Sequence, residues 1–418
     1  MVARSGATQE EVRRHNLAAL LGYVHLRGPT TRAALTVAMG LNRSTIGALT
    51  AELVGAGLVR EEPPPRRAGA GRPSLVVVPE GERVYVLAVD LGVEHLVVAR
   101  VGLGGRVLDR RELAYRRGAQ DVGDVAATIA RLAEELRAGA CPGATCLGVG
   151  ASVPGVVRRR DGLVRFAPNL GWVDVPFGAA LAARLDLPVA VRNDADLGAL
   201  AEHSRGAAVG YDDVVYLAGE VGVGGGIIVG GRPLRGLGGY AGEVGHLLVN
   251  PAGRPCRCGG RGCWETEVGE DALLLPAGRS PGAGLDVARE VLAAAGAGDQ
   301  RAAAAVASVA HWLGTGIGVI VNLFNPAVVV LGGLLAGVFA VAEATVRAAV
   351  SHTALHAPGD QVRLVLPALG PDSSLLGAAE LAFGPLLGDP TAALRPLLPP
   401  GASTPSPPAG GLGAAAST

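Results

Sequence analysis

The stretch Gly242–Glu265, GEVGHLLVNPAGRPCRCGGRGCWE, constrains the chain more than any other. It carries three of the five cysteines, Cys256, Cys258 and Cys263, and His246 stands ten residues before the first of them. Three thiolates and one imidazole are the donor number and type of a closed tetrahedral zinc site. The glycines and proline between them let a short loop turn tightly enough for all four to converge. One structural Zn2+ per chain is therefore expected, held by His246, Cys256, Cys258 and Cys263. Such a clamp fixes Glu243 and Glu265 in place. Carboxylates accept hydrogen bonds from hydroxyls, so the clamp predicts a wall that recognises a polyol.

The rest of the composition narrows the setting. A chain of 418 residues with 49% hydrophobic content has room for two or three domains and is not a disordered class. Lysine is absent, so arginine carries the basic charge, and the net charge is zero. The charge is unevenly placed: residues 1–75 hold ten arginines against five acids, a net of +5. A basic end on a neutral body points to an anionic partner such as nucleic acid. Clustered cysteines with a histidine fit a reducing interior better than a disulfide framework, and Cys141 and Cys146 read as small buried thiols. Met1–Arg14 is polar and lacks the apolar core of a signal peptide, so a cytoplasmic protein is expected. Trp312–Phe339 carries no charge and has the length of a membrane span. Its glycines, Asn322, Asn325 and Pro326 divide it into a helix, a turn and a strand at Ala327–Leu331, which predicts buried core and no membrane.

The amino end reads as a winged helix-turn-helix over residues 1–79. Leu17, Leu20, Leu21 and Val24 repeat with helical spacing, and Gly28-Pro29 ends that helix. Thr30 or Thr31 can cap a second helix at about Arg32–Met39, and Asn42 or Ser44 a third with Ile46, Leu49 and Leu53 inward. The third helix would show Asn42, Arg43, Ser44, Thr45, Gly47, Ala48 and Thr50 outward, hydrogen-bonding groups suited to a major groove. Residues 57–62 and 75–79 read as a hairpin whose loop carries Arg66, Arg67 and Arg72, a wing able to reach phosphates. Arg32, Asn42, Arg43, Ser44, Thr45, Arg66, Arg67 and Arg72 are the candidate DNA contacts. A plain packing module with a solvated basic loop is the alternative.

From Val84 to about residue 385 strands, loops and helices alternate with polar residues at strand ends, as in an α/β fold whose site lies at the carboxyl ends of the strands. Beyond, residues 386–418 are dominated by Pro, Ala, Gly, Leu, Ser and Thr and read as a disordered tail.

The ordered set VDLG (89–92), SVPGVV (152–157), APNLGW (167–172), NDAD (193–196), GEVGVGGGI (219–227), GEVGH (242–246) and CRCGGRGCWE (256–265) resembles the ROK family, the repressors and sugar kinases of the two-lobed actin-like ATPase fold. With the winged helix in front, the chain resembles the repressor branch, of the xylose-repressor type. The resemblance implies that Asp194 matches the base that takes a proton from the sugar hydroxyl in the kinases. It implies that Gly155, Asn169, Asn193, Glu243, His246 and Glu265 face the same sugar. His246 would serve twice, one ring nitrogen on zinc and the other toward the ligand. Asp194 also suits a helix N-cap.

The kinases of that family carry Asp-x-Gly-Gly-Thr after the first strand and Gly-Thr-Gly in the second phosphate loop. Here the first loop is Asp90-Leu91-Gly92-Val93-Glu94 and the second Gly219-Glu220-Val221-Gly222. Hydroxyls that would meet phosphate are gone, and Glu220 adds repulsive charge. The expectation is a non-enzymatic sensor. A sugar or sugar phosphate closes the lobes of a homodimer or homotetramer and alters its grip on a palindromic double-stranded operator. An active ATP-dependent sugar kinase with a regulatory DNA-binding domain is the first alternative, and a constitutive DNA-binding protein whose body only dimerises is the second.

Overall fold

The computed structural model describes residues 8–64, 74–115, 118 and 121–394. The amino-terminal module begins with helix Gln9–Arg27, opened by a capping box in which Thr8 and Glu11 each bond the other's backbone N–H. Leu17, Leu20, Leu21 and Val24 are fully buried along one face, as their spacing requires. Thr31 caps helix Arg32–Met39, which stops at left-handed Gly40, and Asn42 caps helix Arg43–Gly55. Strands Val59–Glu62 and Val76–Pro79 pair antiparallel, with Thr30–Thr31 on the far edge. This is the expected winged helix-turn-helix. Arg66, Arg67 and Arg72 of the wing loop lie outside the described residues.

The body repeats one topology twice. In the first lobe the strand order is Val189–Asn193, Thr145–Val153, Val84–Leu91, His95–Gly102, Val107–Ala114. In the second it is Arg363–Val365, Val328–Gly333, Val214–Gly219, Val223–Val229, Arg232–Pro233. Each is an antiparallel three-strand meander followed by two parallel crossovers, the two-lobed frame that the sequence predicts. Val84–Leu91 is buried at every position, which explains its unbroken apolar run up to Asp90. A smaller sheet, Val156–Arg158, Leu163–Ala167 and Trp172–Val175, leans from the first lobe over the cleft.

Helix Asp194–Arg205 lies between the two sheets. Its Leu197 belongs to the core beneath the first sheet, while Ala195 and Ala199 pack under the second. Helices Gln300–Phe324 and Leu334–Thr353 are apolar and long enough to cross a bilayer, but they pack together in the core of the second lobe. Asn325, in the left-handed region at φ 45°, ends the first of them before strand Val328–Gly333 begins.

Leu17, Leu21, Leu53 and Val77 of the amino-terminal module share one core with Val84, Val86, Phe383 and Leu386 of the body. Two expectations need correction. The chain does not turn into a tail at 386. Helix Ser373–Gly388 continues past that point with Leu386 buried, and Pro390–Leu394 adds another short helix. Composition suggested disorder there, but the apolar side chains find a partner in the amino-terminal helix; residues 395–418 lie outside the described residues. Cys146 is half-buried but Cys141 is exposed, at the edge where a helix turns back into the sheet.

Candidate functional site

Between the lobes lies a cavity of about 510 Å3, and every expected ligand residue lines it: Gly155, Asn169, Asn193, Asp194, Glu243, His246 and Glu265. Asn193 ends a strand and caps the helix after it. Its Oδ1 accepts the N–H groups of Ala195 and Asp196, and its Nδ2 donates to the Gly155 carbonyl at 3.0 Å. The cap is thus Asn193 and not Asp194, and Asn193 keeps one N–H for a ligand. Gly155 sits at φ 125° against Phe166 and Ala167, where no Cβ would fit. Asp194 occupies the first helical position with its carboxyl toward the cavity. Burial, reinforced by the charges of Glu220 and Asp90, raises its pKa to about 8.

The opposite wall is the cysteine loop. The Sγ atoms of Cys258 and Cys263 are 3.7 Å apart, Cys256 Sγ is 3.7 Å from His246 Nδ1, and all four donor atoms lie within 4.8 Å of one another. A tetrahedron with metal–sulfur bonds of about 2.3 Å has edges of about 3.8 Å, so the residues fit a zinc-type metal. The loop is anchored from below. Trp264, fully buried, donates its indole N–H to the Trp312 carbonyl and fixes helix Trp264–Val268. The turn Val244–His246 presses Gly245 onto the Val223 carbonyl, leaving no room for a side chain. His246 turns Nδ1 to the Cys256 thiol and to Glu265 Oε1, 3.6 Å away, and lines the cavity. Glu265 is less free than expected: with Cys256 as a thiol, its Sγ donates to Glu265 Oε1 at 2.9 Å.

Arg257, between two of the cysteines, was not singled out from the sequence. It donates to the Asn169 side-chain oxygen across the cleft, and both residues line the cavity. Its only sequence signal is being the one cation in the run CRCGG.

The far end of the cleft is built differently. Val93 and Val221 line it with apolar side chains. His95 lies 3.3 Å from Asp90 Oδ2, and its hydrogen bond to that carboxylate raises its pKa to about 9 despite burial. A Cβ on Gly92 would strike the His95 ring, so the imidazole covers the backbone a phosphate would approach. Glu220 is pushed above the ordinary carboxyl range by burial, and Asp90 and Glu94 push it the same way. Glu94 reaches across to the second lobe and accepts the Leu285 N–H at 3.1 Å, at the start of helix Leu285–Gly296. A carboxylate of the chain thus fills a helix N-terminus, a natural anion site. His95 was also missed. The hairpin register, with Leu91 opposite Leu96, is what brings it over Gly92.

A sequence profile of the ROK family matches residues 86–384. The chain belongs to the ROK family. Among relatives, it is 27% identical over 378 residues to the xylose repressor of Bacillus subtilis, covering 90% of this chain and 97% of that one. Among solved structures, a ROK family transcriptional regulator, described as a homologue of the E. coli MLC protein, aligns with a TM-score of 0.76. It is 25% identical, over 92% of this chain and 99% of that one. A ROK family glucokinase from Streptomyces griseus, solved with glucose and AMPPNP, aligns with a TM-score of 0.60 at 28% identity, over 72% of this chain and 99% of that one. The family thus supplies both regulators and kinases as relatives of this chain.

What the kinase alignment leaves uncovered includes room for the winged helix. There Asn42, Arg43 and Ser44 are exposed at the start of helix Arg43–Gly55, and Thr45 is half-buried. Asn42 Oδ1 already accepts from the Thr45 N–H and the Ser44 hydroxyl, so only its amide N–H groups face outward. Thr50 departs from the expected outer face; it is fully buried and bonds the Ile46 carbonyl. Arg32 forms a bidentate pair with Glu61, stapling helix Arg32–Met39 to the wing strand. Arg43 has no such carboxylate partner among the described residues.

Proposed function

We propose that this ROK family member is a sugar-responsive DNA-binding transcriptional repressor of carbohydrate genes whose kinase-like body binds its effector without phosphorylating it. The observation that carries the reading is the contrast within one cleft. The expected ligand residues line one end beside a His/Cys cluster that fits a metal, while at the other end His95 pairs with Asp90 and Glu94 occupies a helix N-terminus. The xylose repressor and regulator relatives, which extend over the winged helix, favour the same reading.

In this mechanism Cys256, Cys258, Cys263 and His246 hold one Zn2+, whose role is structural. The clamp keeps His246 Nε2 and the Glu243 and Glu265 carboxylates aimed at the sugar hydroxyls. Asp194, the counterpart of the kinase base, accepts or donates a hydrogen bond at another hydroxyl, and Asn169 with Arg257 closes the mouth. Two chains pair through their bodies and set two winged helices on the half-sites of a palindrome, Arg43 and Ser44 toward the bases and the wing arginines toward phosphates. The sugar or sugar phosphate shifts DNA affinity only as far as it favours one lobe setting over the other.

The test is a duplex selected by the purified protein from a randomised pool, titrated with and without D-xylose, D-glucose and their phosphates. A sugar-dependent change in duplex affinity is expected. Sugar-dependent ATP turnover with no such change would favour the kinase reading, which the similarity to glucokinases keeps as the second.

A further inference from the structure

A buried polar ring joins the sugar end of the body to the DNA-binding module. Helix Asp194–Arg205 carries Asp194 at its first position, in the cavity, and Arg205 at its last. Those ends are about 16 Å apart at 1.5 Å per residue. At the far end Arg205 donates Nε to Glu380 of helix Ser373–Gly388 and Nη1 to the Gly104 carbonyl at 3.0 Å. The Gly104 N–H donates to His25 Nδ1 at 2.9 Å, and His25 Nε2 donates back to Glu380 at 3.1 Å. Four elements therefore close one circuit: the first helix of the winged module, the 103–105 hairpin turn, the helix from the pocket and the carboxyl-terminal helix. Because His25 Nδ1 accepts, its hydrogen sits on Nε2 and the ring has one orientation.

The circuit is largely buried. His25 is 0% exposed and Glu380 8%, and a Cβ on Gly105 would meet the Arg205 guanidinium. Buried networks of this kind add little net stability compared with apolar packing. Here Arg205 Nη2 is left buried without a partner.

The two body helices are also locked together along their length. Glu202, fully buried, accepts from the Ala368 and Leu369 N–H groups and the Ser373 hydroxyl, and Ser374 Oγ donates to the Asp194 carbonyl at 3.2 Å. Gly377 rests on the Leu197 carbonyl where no Cβ fits, so the helices have no slack between them. On the other side, the helix bearing His25 is tied to the DNA-reading helix by Arg13–Glu52 at 2.8 Å and by shared core residues Leu49 and Leu53.

We infer that Arg205, Glu380 and His25 are positioning residues that transmit effector binding at Asp194 to the winged helix. This rests on the sugar-sensor reading. A displacement of the pocket end of helix Asp194–Arg205 would move Arg205 against the Gly104 turn and Glu380, and His25, bonded to both, would carry that shift into the amino-terminal helix. The ring then has two settings, one per lobe position, and the sugar selects between them.

The test compares wild type with Arg205→Lys and Glu380→Gln, titrating the selected duplex with and without D-xylose or D-glucose, and titrating each sugar alone. Sugar affinity and sugar-free duplex affinity should stay within about threefold of wild type, while the sugar-dependent ratio falls from the about 5–150-fold range of coupled sites to about twofold or less. A full ratio in both variants overturns the inference and leaves the sensor reading standing. No sugar response in wild type overturns the sensor reading and the inference with it. If the variants do not fold, amide exchange on wild type decides. Sugar-dependent change at residues 102–106 and 9–27 supports the circuit, and change confined to the pocket overturns it.

Discussion

The two ends of the interlobe cleft descend from the same frame and have different contents. At one end the loops converge on polar groups, with Asn193 tied to Gly155, Asp194 at the cavity and His246 beside a thiol cluster. At the other end the positions that would receive phosphates hold Val93, Val221, a His95–Asp90 pair and a Glu94 carboxylate seated on a helix N-terminus. In the proposed reading, recognition and phosphoryl transfer are separable parts of this fold. A polyol needs rigid, directional acceptors and donors. A polyphosphate needs exposed backbone N–H groups and positive charge, and both are easily blocked by a few side chains.

The largest expected effect tests the braced end. Replacing Cys258 and Cys263 by serine, or removing metal with a chelator, should abolish the sugar-induced rise in melting temperature, which at a hundredfold excess over Kd is worth about 2.7 kcal/mol. Metal analysis of the untreated protein should give about one zinc per chain. A metal-free protein with its full sugar response would break the comparison at its stronger side.

Next comes Asp194→Asn, expected to weaken sugar binding by about 1.5–3 kcal/mol, or roughly tenfold to 150-fold in Kd. The same variant has a pH signature without sugar. The folded chain holds a proton on Asp194 that the unfolded chain has released, so burying the charge costs stability as pH rises. That cost grows from the ordinary carboxyl value of about 4 to the raised value of about 8. The melting temperature of the variant should therefore gain on wild type across that window and level off above it. A constant difference would mean that Asp194 is not held in an unfavourable setting.

Arg43→Ala should cost about 1–3 kcal/mol of duplex affinity while both ends of the cleft behave as wild type in sugar and ATP titrations. Unchanged duplex binding would remove helix Arg43–Gly55 from the DNA interface. The blocked end predicts that ATP does not shift the melting temperature of wild type, and that Val93→Gly, Glu94→Thr and Val221→Thr together with His95→Ala bring a measurable shift. ATP binding by wild type would collapse the contrast. The smallest effect belongs to the mouth: Arg257→Ala should weaken sugar binding by about 0.5–1.5 kcal/mol, read by calorimetry.

Much of this was legible along the chain because the signals are local. Cys256, Cys258 and Cys263 lie within eight residues, so a cluster of thiols is legible from spacing. The stop at Gly40 and the cap pairs Thr30 or Thr31 and Asn42 or Ser44 follow from neighbouring side chains, and the structure takes Thr31 and Asn42. The misses are of two kinds, local and long-range. Thr50 looked like a surface polar residue, but a hydroxyl that can bond the Ile46 carbonyl four residues back is easily buried. Arg32 looked like a free cation until Glu61, 29 residues on, was beside it. Leu386 read as the start of a tail because nothing in its own neighbourhood supplies the apolar partners that the amino-terminal helix does.

By itself the sequence determined the winged helix and the cluster of Cys256, Cys258 and Cys263 with His246, because each depends on residue type and short spacing; the two-lobed frame and the missing phosphate-loop hydroxyls were legible through the resemblance to the ROK family. Only the tertiary structure decided that His95 covers Gly92, that Glu94 fills a helix N-terminus in the opposite lobe, and that His25, Gly104, Arg205 and Glu380 close a ring. Those contacts join groups up to 355 positions apart in the chain. Their existence depends on how sheets and helices stack, which no local propensity encodes.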